Sequence, residues 1–129
     1  MPAENPSRLI RLLMGVVAGT AACGILLWPI PYSEVSLPGN PSGTSLLLAG
    51  GLAGFLAGTV VRPGLRAPIL AVTLGFVLAV VLRVSVETSR DPTSHNLWPF
   101  EVVIAGLIGL AAAAIGVGLA RSIQRAIKR

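Results

Sequence analysis

Four apolar runs separated by short polar breaks set the pattern of the chain: Leu12 to Trp28, Thr44 to Val61, Ala67 to about Val86, and Trp98 to Ala120. Runs of about 17–25 apolar residues are what a helix needs to cross the hydrocarbon core of a bilayer. The breaks are made of turn formers. Pro29 to Gly43 reads PIPYSEVSLPGNPSG, in which Pro29, Pro31, Pro38 and Pro41 exclude helix and Pro38-Gly39-Asn40-Pro41 marks a turn. Arg62-Pro63-Gly64-Leu65-Arg66 is short enough to fold the second and third runs into an antiparallel hairpin, with Pro68 tolerated in the first turn that follows. Glu87 to Leu97 leads into the fourth run, where Asn96 is placed to cap the helix and Pro99 suits its first turn. Spans are therefore predicted at about 9–28, 44–61, 67–86 and 98–120, followed by a basic tail over 121–129 that extends the last helix. The fold class is an all-α membrane protein, a four-transmembrane-helix bundle in a single domain.

Small residues recur at helical spacing on three of the four spans. Gly50, Gly54 and Gly58 fall at i, i+4 and i+8, a stripe without side chains that lets a second helix approach closely. Packing within the chain is the favoured use of this stripe, with contact between chains the alternative. The first span carries Gly15, Gly19 and Cys23 in the same relation; the fourth carries Ala112, Gly116 and Ala120 and, on a neighbouring face, Gly106, Leu110, Ala114 and Gly118. The third span is rich in Val and Leu, and its bulk is expected to fill the grooves left by the glycines of the second.

Composition sharpens the membrane reading. Apolar residues make up 53% of the chain, charged residues 12%, and mean hydropathy is +0.81, so lipid and not water must cover much of the surface. The net charge of +5 would suggest nucleic acid in a soluble protein, but the charges cluster at span ends, where they report orientation and contact with lipid headgroups. Nucleic acid is set aside as a partner. Arg8, Arg11, Arg62, Arg66, Arg121, Arg125, Lys128 and Arg129 fall on one side of the bilayer and only Arg83 and Arg90 on the other. By the positive-inside rule both termini are cytoplasmic. Glu34, Glu87, Asp91 and Glu101 fall on the outer side. Thr20-Ala21-Ala22-Cys23 resembles a bacterial lipoprotein box, but Thr stands where an aliphatic residue is usual and the apolar run continues to Trp28, so a retained first span is expected. Trp28 and Tyr32 suit the membrane interface.

Candidate chemistry gathers between Arg83 and Glu101, which includes the sole histidine, His95, and Trp98, one of two tryptophans. Arg83 lies about one turn inside the outer end of the third span, where an ionised group is costly without a partner. A structural ion pair to Glu101 or Glu87 is expected. The Arg-before-Glu order at i, i+4 is the weaker one, which favours Glu101. The alternative is that Arg83 binds an anion or a lipid headgroup. Glu87, Asp91, His95 and Glu101 offer donors to a divalent metal, but their spacing matches no metal motif, and Asp91-Pro92-Thr93-Ser94 reads more simply as a turn. Neither a phosphate-cradling loop, nor a nucleophile with a base at workable spacing, nor a cofactor motif is present, so the chain is not expected to be an enzyme or to hold a cofactor. Asp91, His95 and Trp98 remain as a recognition loop.

The run Asp91-Pro-Thr-Ser-His-Asn-Leu-Trp-Pro-Phe-Glu101 resembles a loop of small, uncharacterised four-span bacterial membrane proteins. That resemblance implies a multi-pass protein of a bacterial inner membrane and carries over no activity. The function expected is structural or accessory: binding a membrane protein partner, a second copy or lipid through the glycine-rich helix faces and the outer loop 87–97. A small oligomeric channel or transporter is the alternative. It is disfavoured because Thr20, Thr59 and Thr73 are the few polar residues within the spans, and hydroxyls so placed bond to their own backbone.

Overall fold

The computed structural model describes residues 5–31, 34, 39–61, 64–90 and 98–129. They form four helices in chain order, α1 (Pro6–Leu27), α2 (Gly43–Val60), α3 (Arg66–Arg90) and α4 (Trp98–Ile127). All four are long and apolar enough to cross a membrane. The capping residues account for where they start. Asn5 accepts a hydrogen bond from the Ser7 backbone N–H at 3.1 Å, with Pro6 filling the first helical position. Ser42 accepts from the Ser45 N–H at 3.1 Å and so caps α2. Gly64, with φ +92°, provides the left-handed step between α2 and α3. Asn96, the cap expected for α4, lies outside the described residues.

One boundary differs from the sequence expectation and another agrees with it. The third helix runs on past Val86 to Arg90, so Glu87–Arg90 is a helical turn and not loop. The basic tail does continue α4, to Ile127. Hydropathy marks where lipid ends, whereas a helix continues as long as its backbone bonds are better made internally.

Helix pairing follows the small residues. α1 packs along α3: Gly15 faces Ala71, Gly19 faces the carbonyl of Val72, and Gly75 lies so near α1 that a Cβ there would sit 2.6 Å from the Thr20 backbone nitrogen. α2 packs along α4: a Cβ at Gly54 would meet the Ala113 Cα at 2.8 Å, one at Gly58 the Val117 Cα at 3.1 Å, and one at Gly116 the Phe55 backbone nitrogen at 2.7 Å. In both seams the sequence numbers rise together, so each is a parallel pair, with backbones close enough for direct van der Waals contact. The glycine stripe of α2 therefore lies inside the molecule against α4, not against α3 as the hairpin reading expected. α3 contributes one large filler to that seam, Phe76, which is fully buried and sits where a Cβ at Gly50 or at Gly109 would come within 2.8 Å of its ring.

Val72, Phe76, Ala79 and Val80 of α3 form the centre of the core, with Cys23, Leu46, Ala53 and Ala113 from the other helices. Cys23 is buried on α1, with helix on either side of it. Large apolar side chains such as Val17, Ile25, Leu48, Leu70, Leu107 and Ile115 point outward on all four helices, the reverse of a soluble bundle and what a lipid surround requires. Thr20, Thr59 and Thr73 each donate to a carbonyl three or four residues back, at 2.7–2.8 Å, as expected of isolated hydroxyls in a span.

Candidate functional site

On α3 the positions facing α1 are Ala71, Gly75, Ala79 and Arg83, a four-residue ladder that ends in a charge. The three small rungs bring the helices together, and the fourth therefore delivers its guanidinium to the C-terminal end of α1. Pro31 has no N–H to offer the Leu27 carbonyl four residues back, and the chain turns so that the Ile30 N–H donates to that carbonyl instead, at 3.2 Å. Arg83 adds to this end: Nη1 also donates to the Leu27 carbonyl and Nη2 to the Ile30 carbonyl. Trp28 ties the same corner from the opposite direction, its indole Nε1–H donating to the Ala79 carbonyl at 3.0 Å.

Among the described residues, Arg83 is the one buried charged or polar side chain, at 7% exposed. Its charge is balanced twice. Nε donates to Glu87 Oε1 at 2.9 Å in a salt bridge one turn further along α3. The two carbonyls carry the partial negative charge of a helix C-terminus, where a cation is favoured. The ion pair thus forms with Glu87 and not with Glu101, the partner favoured from sequence. The reason is direction: with Nη1 and Nη2 turned across the α1–α3 seam, Nε faces along its own helix to the carboxylate four residues on. Glu101 stands in the first turn of α4, half-buried.

Beside this corner is an open groove of about 470 Å³ lined by Trp28, Leu82, Arg83, Val86, Glu87 and Arg90. Five of these residues lie on α3 and Trp28 follows the end of α1; Arg90 continues the Leu82–Val86 stripe at four-residue spacing, with Arg83 and Glu87 on the stripe beside it. Arg90, at the last turn of α3, is exposed.

A second arginine cap lies at the far end of the bundle. Arg121 follows Ala113 and Val117 at four-residue spacing on α4, and its Nη2 donates to the carbonyls of Val61, at 2.6 Å, and Gly64, at 2.8 Å. It closes the C-terminal end of α2 as Arg83 closes that of α1. Its Nε is buried with no hydrogen-bond partner among the described residues. From sequence this residue was part of a basic tail only. Its signal in the sequence is position: Arg121 continues the Ala113 and Val117 spacing one turn beyond the apolar run of α4, level with the turn that follows α2.

The remaining sequence candidates divide cleanly. Gly50, Gly54 and Gly58 are buried in the α2–α4 seam, so they are packing residues within the chain, and this stripe offers no docking face to a partner. Asp91, His95 and the side chain of Trp98 lie outside the described residues, as does the Asp91-Pro92-Thr93-Ser94 turn. Among the described residues no group of three or more His, Cys, Asp or Glu is placed to hold a metal ion.

Comparison with known proteins returns no match among family models, curated proteins or solved structures.

Proposed function

We propose that this chain is a multi-pass protein of a bacterial inner membrane, with both termini cytoplasmic, that serves an accessory role by engaging a larger membrane partner or lipid at its outer end. The observation that carries this reading is the apolar interior. Arg83 is the one buried charged side chain among the described residues, and it is held by two carbonyls and a carboxylate. A conducting path needs a succession of groups that replace hydration, whereas the hydroxyls of Thr20, Thr59 and Thr73 are turned to their own helices. Close approach in both parallel seams supports the same view, since backbones in contact leave no lumen between them. Orientation rests on the arginine and lysine distribution, eight residues against two.

With the glycine stripe of α2 used internally, the reading places recognition at the Arg83 corner with its groove and the adjoining loop, where charge accompanies exposed apolar surface, in preference to the outward small-residue face of α4 around Ala114 and Gly118. Crosslinking in native membranes followed by mild solubilisation is expected to recover a defined partner at fixed stoichiometry. Liposomes containing only this protein are expected to show no solute flux above that of empty vesicles. Flux from the purified chain would replace the accessory reading with that of a small oligomeric channel or transporter.

A further inference from the structure

The groove at the Arg83 corner has a polarity gradient that selects a class of ligand. Its apolar part is made by Leu82, Val86 and the half-exposed ring of Trp28, and its polar part by Arg83, Glu87 and Arg90. Arg83 and Glu87 pair across 2.9 Å, and Arg90, one turn from Val86 and exposed, is the further cation among the described lining residues. The groove also lies at the end of a membrane-crossing helix, where acyl chain gives way to headgroup. A ligand that fits must be apolar along one part and singly anionic at the end next to it.

We propose that this groove binds one phospholipid of the outer leaflet, an acyl chain lying against Leu82, Val86 and Trp28 and an anionic headgroup phosphate beside Arg90. The inference rests on the membrane orientation given above and names the lipid class for that site. Arg83 has a different part in it. Three of its donor groups are committed to Leu27, Ile30 and Glu87, so it forms the floor of the groove and keeps α1 and α3 together beneath the headgroup. Arg90 is the recognition residue. The cation attracts the phosphate as a charge near a lipid surface does, worth about fivefold in affinity for one basic residue.

Trp28 lines the groove and reports on its occupant. In a Trp98→Phe background it is the single emitter, and the full-length protein is reconstituted in phosphatidylcholine vesicles doped with lipid brominated on the acyl chain. Brominated phosphatidylglycerol is expected to half-quench Trp28 at about a fivefold lower mole fraction than brominated phosphatidylcholine. Arg90→Gln, at an exposed position, is expected to bring the two lipids to parity without lowering the unfolding temperature in detergent. Millimolar inorganic phosphate is expected to leave the preference unchanged. Equal quenching by the two lipids in the parent protein overturns the proposal, as does a preference that survives Arg90→Gln or one abolished by free phosphate. Failure here with a partner still recovered by crosslinking leaves the accessory reading intact. Solute flux from a chain that retains the lipid preference removes the accessory reading alone.

Discussion

Two arginines close two helix ends in this molecule, and they do so under different conditions. Arg83 reaches from α3 to the end of α1 and Arg121 from α4 to the end of α2, each completing a parallel pair whose helices meet through glycine and alanine. Arg83 is buried, spreads its donors over two carbonyls and a carboxylate, and is braced by the Trp28 indole bond to Ala79. Arg121 is half-exposed and places a single nitrogen between the carbonyls of Val61 and Gly64. The same device is thus fully compensated at the buried arginine, whereas Arg121, half-exposed overall, leaves its buried Nε without a hydrogen-bond partner among the described residues. Taking a charge out of water costs several kcal/mol unless its partners are all in place, and near the surface that requirement falls away.

The comparison is broken most directly by removing each arginine in turn. Arg83→Ala removes a donor from each of the Leu27 and Ile30 carbonyls and breaks the salt bridge to Glu87, with an expected loss of about 3 kcal/mol. Arg121→Ala gives up two hydrogen bonds, of which the one to exposed Gly64 is replaceable by solvent and the one to buried Val61 is not, for about 1–2 kcal/mol. Thermal unfolding in mild detergent reads both. Equal losses would mean that burial makes no difference to how these caps work.

The seams beneath the caps come next. Gly75→Ala in the first and Gly116→Ala in the second each push a methyl group against backbone that cannot swing aside, for about 1–3 kcal/mol apiece. Gly118→Ala on the outer face of α4, where nothing lies within 4 Å, is the matched control and is expected to leave stability unchanged or raise it by up to about 1 kcal/mol. A large effect at Gly118 with none at Gly75 and Gly116 would show that the helices pair through other faces.

The smallest expected effect sharpens the account of Arg83. Glu87→Gln keeps an acceptor near Nε but removes the charge, with an expected loss of about 1 kcal/mol, and it should cost almost nothing once Arg83 is already alanine. Losses that simply add in the double variant would show that the arginine is held by the two carbonyls alone.

Much of the architecture was legible beforehand, because membrane insertion imposes a length and a hydropathy that no local choice can disguise. The starts of α2 and α4, the helical tail and the internal use of Gly50, Gly54 and Gly58 all follow from residue type and spacing. Which helix pairs with which does not. Three spans carry small-residue ladders, and a ladder announces close approach without naming the partner. The Phe76 ring is the one feature that sits between two of them, touching the positions of Gly50 and Gly109. The partner of Arg83 was misread for a related reason. Carboxylates announce themselves in a sequence, while two of the three acceptors of Arg83 are backbone carbonyls, which every residue possesses. An arginine at the depth where a neighbouring span ends is the pattern that both caps share.

The parallel pairing has a consequence for how the molecule is made. As the chain emerges from the ribosome, α1 and α2 are synthesised first, yet each lacks its main neighbour and the cation that completes its end. Leu27 waits for a residue 56 positions later and Val61 for one 60 positions later. A product released after α2 would hold two helices without their parallel neighbours and without the guanidinium donors that Leu27, Ile30 and Val61 receive in the complete bundle.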